Sequence, residues 1–523
     1  MQNLMRLIKV LKCITTMLFI TFVFVQSVTA APKPDAKADL EPILTLTAQC
    51  GLPFKDNAVL QQKIPLPIWG STLPGAKVSV HFDQQTKTTI ASANGNWRVT
   101  LDPMNAIRLS SCKDIPNGKA MTIICKKDGM TAIKTVSNLV MGEVWISAGQ
   151  SNMAGAIRTI ILKSKGKNGV EMNPNGLLKA NKFLYFPADT ITSAKYPGLR
   201  QMTATKNDPW LICSPQTVPY FKKVAYFFGS KLFREIQIPI GLIPAAKGGS
   251  KIESWLNQKP YELGQNYSKY ISPILNYGIR GVLWYQGESN SNDKRKYLPK
   301  LQALIHGWRK AWNQPQSIIE DGPQTDFSFY FVQLPGIGIS SIENPEGGDG
   351  RAEIRQTYFD ALSIKNTGMA ITIDIGAIKE HPPGKVDTGF RLANLAIHHD
   401  YGVKDHTPSG PLYKQFKIVD NTIRISFDYA EEGLMIAEKK GYHAPKALPA
   451  AKLPWLSIQA KSGAWHWADG QIDGGELIVS SPKVKVPVAV RYAYTNNPSG
   501  NLLYNKNGLP VGPFSTNGYS ESK

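Results

Sequence analysis

The sequence is poor in the residues on which metal centres and disulfide frameworks depend. It has 5 cysteines and 8 histidines among 523 residues, and no close-set Cys/His spacing of the kind that binds zinc. A disulfide-held mini-protein is therefore excluded, and a metal site has little support.

Acidic residues are also scarce relative to basic ones. The chain has 60 Lys and Arg against 39 Asp and Glu, a formal net charge of +21. Such an excess makes polyanions and acidic substrates candidate partners. No dense Lys/Arg run carries interleaved aromatic residues, however, so we expect a diffuse positive charge and no nucleic-acid site.

Long apolar runs are absent after one near the start, at residues 14–25. That run is shorter than the roughly 20 residues that a membrane-spanning helix needs. Arg6, Lys9 and Lys12 precede it, and small residues lead up to Ala30, which is the pattern of a secretory signal. We expect residues 1–30 to be a signal peptide cleaved after Ala30, a secreted or periplasmic protein, and no stable membrane insertion.

Export would leave the remaining cysteines in an oxidising compartment. They are Cys50, Cys112, Cys125 and Cys213. Four thiols allow three complete pairings, and the sequence does not choose among them.

The composition is otherwise that of a globular chain, with 42% hydrophobic and 10% aromatic residues. Residues 31–139 show short alternating segments, such as 78–82 and 97–101, and predict a β-sandwich. Asn94-Gly95 between apolar flanks predicts a β-hairpin there. Residues 403–523 return to β character and predict a second β module.

Residues 140–402 alternate apolar strands with amphipathic helices. The strand candidates are 143–148, 239–243, 281–285, 327–333 and 369–374. One helix carries Val224, Phe228 and Leu232 on one face, and another carries Tyr297, Leu301, Leu304, Ile305, Trp308 and Trp312. This alternation predicts an α/β domain whose parallel sheet has helices on both faces.

Chemically useful residues follow four of these strands. In a parallel sheet, ligands bind beyond the carboxyl ends of the strands. Ser151 follows the first, glycines 248–249 the second, Gln286 and Glu288 the third, and His381 the fifth. A single serine in such a turn is more often a helix cap. The four loops together predict an acyl-transfer hydrolase with a serine nucleophile.

The sequence around these residues resembles the sialate O-acetylesterase family, a branch of the SGNH hydrolases. The resembling segments are Val-Met-Gly-Glu-Val-Trp-Ile-Ser-Ala-Gly-Gln-Ser-Asn-Met at 140–153, Gly-Gly-Ser-Lys-Ile-Glu-Ser-Trp at 248–255, Ile-Arg-Gly-Val-Leu-Trp-Tyr-Gln-Gly-Glu-Ser-Asn at 279–290, and His-Pro-Pro-Gly-Lys at 381–385. Flanking stretches at 56–61, 68–70, 501–505 and 508–510 extend the resemblance over most of the chain. It implies an SGNH-hydrolase-like fold and a serine hydrolase without metal or cofactor.

The resemblance implies a role for each loop. Ser151 would be the nucleophile, and His381 the general base that accepts its proton and returns it to the leaving sugar hydroxyl. The backbone N–H groups of Ser151 and Gly249 and the side-chain amide of Gln286 would form the oxyanion hole. Glu288 would hold its loop by hydrogen bonds rather than act on substrate.

The third member of the triad departs from the family pattern. The family carries an aspartate two or three positions before the histidine, where this chain has Lys379 and Ile378. Glu380 is the nearest acid and the favoured orienting residue, with Asp374 as the alternative. A Ser-His dyad steered by a backbone carbonyl is the third option.

The resemblance, together with these features, implies an exported esterase that releases acetate from an O-acetylated carbohydrate, with the 9-position of sialic acids as the leading substrate. Deacetylation of xylan or another glycan is the alternative within the same chemistry. A catalytically inactive, secreted glycan-binding protein is the alternative from another class, motivated by Lys379.

Overall fold

The computed structural model describes residues 45–158, 196–204, 207–314 and 326–517. The predicted signal peptide lies outside the described residues.

The N-terminal part is built mainly of antiparallel strands; the exception is Val59–Gln61, which pairs in parallel. They are β1 (Gln49–Cys50), β2 (Val59–Gln61), β3 (Leu66–Ser71), β4 (Lys77–Phe82), β5 (Gln85–Ile90), β6 (Asn96–Leu101), β7 (Lys119–Lys127) and β8 (Met130–Gly149). One sheet has the order β1-β3-β6, while β4 pairs with β5 and β7, and β7 pairs with β8. Exposed and buried residues alternate along β6. Both strands predicted in this region are confirmed.

The hairpin predicted at Asn94-Gly95 is wrong. The flanking strands β5 and β6 pair with β4 and β3 respectively, and so belong to different sheets. Gly95 does adopt the turn conformation, with φ of 76°, and its carbonyl accepts the N–H of Thr72 at 2.9 Å. The turn leads the chain from one sheet into another. The local sequence does not distinguish such a turn from the turn of a β-hairpin.

Strand β8 joins the two architectures. It is 20 residues long and pairs antiparallel with β7 through its first half. Its second half enters the central parallel sheet. The predicted domain boundary between residues 139 and 140 falls inside this strand, so no linker separates the two parts.

Among the described residues, the central region carries six further strands and five α-helices. The strands are β9 (Tyr196–Gln201), β10 (Leu211–Cys213), β11 (Ile240–Ala246), β12 (Gly281–Tyr285), β13 (Ser328–Val332) and β14 (Thr367–Ala370). The helices are α1 (Ser151–Ala154), α2 (Lys223–Ile236), α3 (Tyr297–Trp312), α4 (Arg351–Asp360) and α5 (Lys385–His399). The sheet order is β10-β9-β11-β8-β12-β13-β14, parallel except for edge strand β10. Each of the five predicted strands overlaps an observed strand, the fifth (369–374) only at residues 369–370 of β14, and both β9 and β10 were missed.

Helices cover both faces of this sheet. Successive residues of a strand point to opposite faces. On β13, Phe329 contacts Trp308 of α3, whereas Tyr330 stacks on Trp145, which in turn packs against Phe228 of α2. Helices α3 and α2 therefore lie on opposite faces, and the α/β fold class is confirmed.

The C-terminal part consists of short strands in three sheets. They are β15 (Leu412–Val419), β16 (Thr422–Asp428), β17 (Leu434–Glu438), β18 (Lys446–Ala447), β19 (Leu456–Ala460), β20 (Trp465–Trp467), β21 (Asp469–Asp473), β22 (Glu476–Ser480), β23 (Pro487–Tyr492), β24 (Leu502–Asn505) and β25 (Phe514–Ser515). The sheet orders are β15-β16-β22-β21, β18-β17-β24 and β20-β19-β23-β25. Antiparallel strands thus precede the central sheet along the chain and also follow it.

Among the helices of the described residues, none is long and apolar enough to cross a bilayer. The four cysteines at 50, 112, 125 and 213 form no disulfide in this structure. Burial raises the pKa of the Cys213 thiol to about 12, so this cysteine is a weak nucleophile.

Candidate active site

Three strands of the central sheet end at the same level. Gly149, the last residue of β8, is the register partner of Ala246 on β11 and of Tyr285 on β12. Gly149 has a φ of 133°, and a Cβ at this position would overlap the carbonyl oxygen of Tyr285. Only glycine fits there. The loops after these strands must therefore start side by side, at the point in the sheet where the chain after β8 runs toward β9 and the chain after β11 runs toward β12.

Ser151 begins the short helix α1 directly after this glycine. Gln150 precedes it in an extended conformation and donates its N–H to the Tyr285 carbonyl at 3.0 Å. The Ser151 side chain is half-buried. Within the described residues, the backbone N–H of Ser151 has no acceptor. It is available to a ligand oxygen beside the hydroxyl.

The glycine loop after β11 lies against Ser151. A Cβ placed on Gly248 would be 3.8 Å from the Ser151 Cβ. Gly249 has a φ of 71° and open space where a Cβ would be. Neither glycine N–H meets an acceptor in the described part of the chain. Together with Ser151, this loop offers the unpaired backbone donors that an oxyanion hole requires.

Gln286 is fully buried and its amide is already engaged. Its Nε2 donates to the Asn290 Oδ1 at 2.7 Å, the Ser250 carbonyl at 3.1 Å and the Gln150 Oε1 at 3.2 Å. Its Oε1 accepts the hydroxyl of Tyr297 at 2.8 Å. This side chain ties the three loops together. Its assignment to the oxyanion hole stays a prediction, and a substrate oxygen would have to compete with these acceptors.

The loop that carries His381 contacts the serine turn. The Nδ2 of Asn152, the residue after Ser151, donates to the carbonyl of Glu380, the residue before His381, at 3.2 Å. Beyond the histidine, buried Lys385 donates its Nζ to the Pro382 carbonyl at 2.9 Å. The structure thus brings the predicted nucleophile and the predicted base onto adjoining loops, with His381 exposed to solvent.

The two candidate orienting acids both form ion pairs with arginines. Glu380 pairs with Arg351, whose side chain is almost entirely buried. Asp374 makes a two-pronged pair with Arg391, at 2.6 and 2.7 Å, and is itself buried. Asp374 therefore fixes the start of the histidine loop onto α5. The orienting role of Glu380 stays a prediction.

Glu288 lies beneath the serine turn rather than in the open site. Its Oε1 accepts the Asn152 Nδ2 at 2.5 Å. Burial raises the pKa of the Glu288 carboxyl, against the hydrogen bond from Asn152 and the nearby charges of Arg351 and Lys385. The prediction that it holds a loop by hydrogen bonds agrees with this contact.

A cationic lip borders the site on the far side of α1. We use this name for Arg158, Lys222 and Lys223. A backbone bridge joins Ala156 to Lys222, and Lys223 packs its side chain on Gly155. Helix α1 has four residues, which correspond to about 6 Å of rise, and the cationic lip contacts the chain directly after this helix. The lip therefore lies close to Ser151, the first residue of α1.

Like charges meet in this lip. No carboxylate contacts Arg158 or Lys222 in the described ranges. Burial and the positive charge of Arg158 lower the pKa of Lys222. An incoming anion would relieve this repulsion.

Sequence reasoning missed two contributors to the site. Asn152 stood within a recognised segment, but nothing marked its carboxamide as the link to the histidine loop. Arg351 lies on α4, far from any motif, and only the fold brings it to Glu380. No group of three His, Cys, Asp or Glu side chains that could hold a metal ion occurs among the described residues.

Comparisons with known proteins identify the same region. Residues 141–320 match the family model described as a carbohydrate esterase, sialic acid-specific acetylesterase. The chain is 25% identical to the sialate O-acetylesterase of Homo sapiens over 538 residues, which covers 90% of this chain and 94% of the relative. It is 26% identical to the sialate O-acetylesterase of Mus musculus over 468 residues, covering 75% and 81% respectively.

A solved structure is similar over most of the chain. It is a carbohydrate acetylesterase from Xanthomonas citri, with a TM-score of 0.70 and 28% sequence identity. The match covers 90% of this chain and 99% of that chain. The likeness therefore includes the flanking β modules as well as the central sheet.

Proposed function

We propose that this chain is an exported serine carbohydrate O-acetylesterase that acts on O-acetylated sialic acids. The match of residues 141–320 to the sialic acid-specific acetylesterase model and the similarity to sialate O-acetylesterases and a carbohydrate acetylesterase support the proposal. The contact of the serine turn with the histidine loop, through Asn152 and Glu380, is the observation that carries the proposal. Unpaired backbone N–H groups at the same place supply the second requirement of acyl transfer.

In the first half of the reaction, the Ser151 Oγ attacks the acetyl carbonyl carbon while His381 takes the hydroxyl proton. The carbonyl oxygen becomes an oxyanion, which the N–H groups of Ser151 and Gly249 stabilise. When the carbonyl re-forms, the bond to the sugar oxygen breaks and His381 returns the proton to that oxygen. The products are the free sugar hydroxyl and acetyl-Ser151.

The second half repeats these steps with water. His381 removes a proton from a water molecule, whose oxygen attacks the acetyl-Ser151 carbonyl. The same donors stabilise the second oxyanion. Its collapse releases acetate and returns the proton to Ser151, so the enzyme ends the cycle unchanged.

The positive charge of the cationic lip favours an anionic sugar over a neutral one as the substrate. Sialic acids carry a carboxylate, whereas acetylated xylan chains carry no charge on their xylose units. Lys222 and Arg158 repel each other without a carboxylate partner within the described residues. A substrate carboxylate would pair with them, and a partly buried charge-assisted hydrogen bond is worth about 1.5 kcal/mol.

Substrate choice tests this proposal. We expect acetate release from an O-acetylated N-acetylneuraminic acid to have a higher kcat/KM than release from its methyl ester or from acetylated xylan. Lys222→Gln should lower kcat/KM for the free acid by about tenfold and leave the methyl ester unaffected. The matched control is Lys77→Gln, an exposed lysine on β4. Faster release from xylan would contradict the sialic acid assignment.

Export is the second part of the proposal. It rests on Arg6, Lys9 and Lys12 before the apolar run 14–25, and on the small residues that end at Ala30. Expressed with its own N-terminus in a bacterial host, the chain should appear outside the cytoplasm and begin at residue 31. N-terminal sequencing of the periplasmic fraction measures this, and an intact chain confined to the cytoplasm would refute it.

A further inference from the structure

Two buried oxygen atoms at the base of the active site have no hydrogen-bond partner. They are the Asn152 Oδ1 and the Glu288 Oε2, neither of which meets a donor within the described residues. The other atoms of the same two groups are joined, because the Asn152 Nδ2 donates to the Glu288 Oε1 at 2.5 Å. Asn152 is 1% exposed.

These two oxygens need a donor that an ionised Glu288 does not provide. An amide oxygen and a carboxylate oxygen are both acceptors. Leaving each of them unpaired inside the protein would be destabilising, because each would lose its hydrogen bonds to water without replacement. A proton on the Glu288 Oε2 turns that atom into a donor, and the Asn152 Oδ1, which belongs to the carboxamide already bonded to this carboxyl group, lacks a donor.

The surroundings favour the proton. Burial is the main influence on the Glu288 carboxyl and raises its pKa. The hydrogen bond from Asn152, a backbone hydrogen bond, and the charges of Arg351 and Lys385 lower this pKa, but burial outweighs them. However, Arg351 is already paired with Glu380, and Lys385 donates to the Pro382 carbonyl and lies over the Tyr285 ring.

The remaining titratable neighbours are phenols. They are Tyr285, Tyr297 and Tyr358, and burial raises the pKa of each, so all three stay neutral beside Glu288. Neutral phenols do not compensate a carboxylate charge. Arg351 is already paired with the Glu380 carboxylate, so the surroundings stabilise an ionised Glu288 poorly.

We propose that Glu288 is a protonated positioning residue whose carboxyl group forms a two-bond clasp with the Asn152 carboxamide. In this clasp, Asn152 donates to the Oε1 and the protonated Oε2 donates back to the Asn152 Oδ1. The second N–H of Asn152 remains on the Glu380 carbonyl. The clasp thereby holds the serine turn and the histidine loop in a fixed relation, a role that rests on the proposed function for its catalytic meaning.

Matched substitutions at Glu288 test the clasp through activity. Glu288→Gln keeps one acceptor and supplies an N–H in place of the proton, so it should retain kcat within about threefold. Glu288→Ala removes both bonds and should lower kcat for a small acetyl ester by about 10²-fold with little change in KM, because loop alignment rather than binding is lost. Glu432→Gln, at an exposed position, is the control for the carboxyl-to-amide change.

The pH dependence of stability tests the proton without using activity. A carboxyl whose pKa is raised on folding contributes fully below the ordinary Glu pKa of about 4.3, and its contribution falls as pH rises toward the folded value. Gln does not titrate. The stability of E288Q relative to the wild type, measured by urea unfolding, should therefore rise with pH above about 4.3.

Each outcome has a clear meaning. Retained kcat in E288Q together with the rising stability difference supports the clasp. A loss in E288Q as large as in E288A, or a stability difference that is flat with pH, overturns it in favour of an ionised Glu288. If the wild type hydrolyses no acetyl ester, the proposed function fails, while the unfolding measurement still decides the protonation of Glu288.

Discussion

Replacing Ser151 by alanine is expected to lower kcat for acetyl ester hydrolysis by about 10⁴-fold or more. The reason is chemical, since the hydroxyl supplies the atom that bonds to the acetyl carbon and no other group replaces it. The fold should survive, because the side chain is half-buried and the turn is set by Gly149 and by the backbone of Gln150. Initial rates with 4-nitrophenyl acetate measure the effect.

Ser254→Ala is the matched control for Ser151→Ala. Ser254 lies in the turn after the glycine loop, and its hydroxyl donates to the Lys251 carbonyl at 2.7 Å and accepts from the Asn266 Nδ2 at 2.7 Å. Its loss should change the rate by less than about threefold, since neither hydrogen bond joins Ser254 to the serine turn or to the histidine loop. Equal activity of the Ser151→Ala variant and the wild type would exclude the serine mechanism. Equal inertness of both, with glycan binding intact, would favour the binding protein.

Replacing His381 by alanine is expected to lower kcat by about 10³–10⁴-fold. An unassisted serine hydroxyl is too weak an acid to attack an ester at neutral pH. KM should change little, because His381 is exposed at the tip of its loop and the loop is anchored by other residues, notably Lys385.

The double variant separates a catalytic pair from two independent effects. Groups that act as one unit are strongly non-additive, so Ser151→Ala with His381→Ala should be no slower than Ser151→Ala alone. If the rate loss in the double variant equals the product of the two single-variant losses, His381 acts in a step that does not involve Ser151. Far-ultraviolet circular dichroism and the urea midpoint should match those of the wild type, which separates a chemical loss from unfolding.

Much of the fold could be predicted because apolar periodicity is a local property. Strand β12 begins and ends where the sequence predicts, at residues 281 and 285, and the apolar stripe of α3 is buried as expected. The Asn94-Gly95 hairpin failed for the complementary reason. A turn motif fixes the reversal of the chain, whereas the partner strands of β5 and β6 are chosen by packing between distant segments.

The site was predictable as far as strand ends are predictable. Ser151, the glycine pair 248–249 and Gln286 follow adjacent strands, so a parallel sheet necessarily brings them together. Side-chain partners within the site were not predictable. The pairing of Glu380 with Arg351 depends on where α4 packs, which no spacing in the sequence encodes.

The histidine loop is held in place by several bonds although Lys379 replaces the acid that the resemblance implies. Lys379 stands where the sequence resemblance implies an acid, yet the loop is held at Glu380 by Asn152 through its carbonyl and by Arg351 through its carboxylate. Asp374 and Arg391 fix the preceding segment. Positioning of His381 is therefore shared among several bonds, which is compatible with either a Glu380 triad or a Ser-His dyad.

The most direct test of the account is to stop the reaction with acid during turnover of 4-nitrophenyl acetate and to map the modified peptide by mass spectrometry. The account predicts one acetyl group on the peptide that contains Ser151, absent from the Ser151→Ala variant and increased in amount when deacetylation is slowed at low temperature. Rapid hydrolysis without any acetylated peptide, or with the acetyl group on a different residue, would contradict the assignment of Ser151 as the nucleophile.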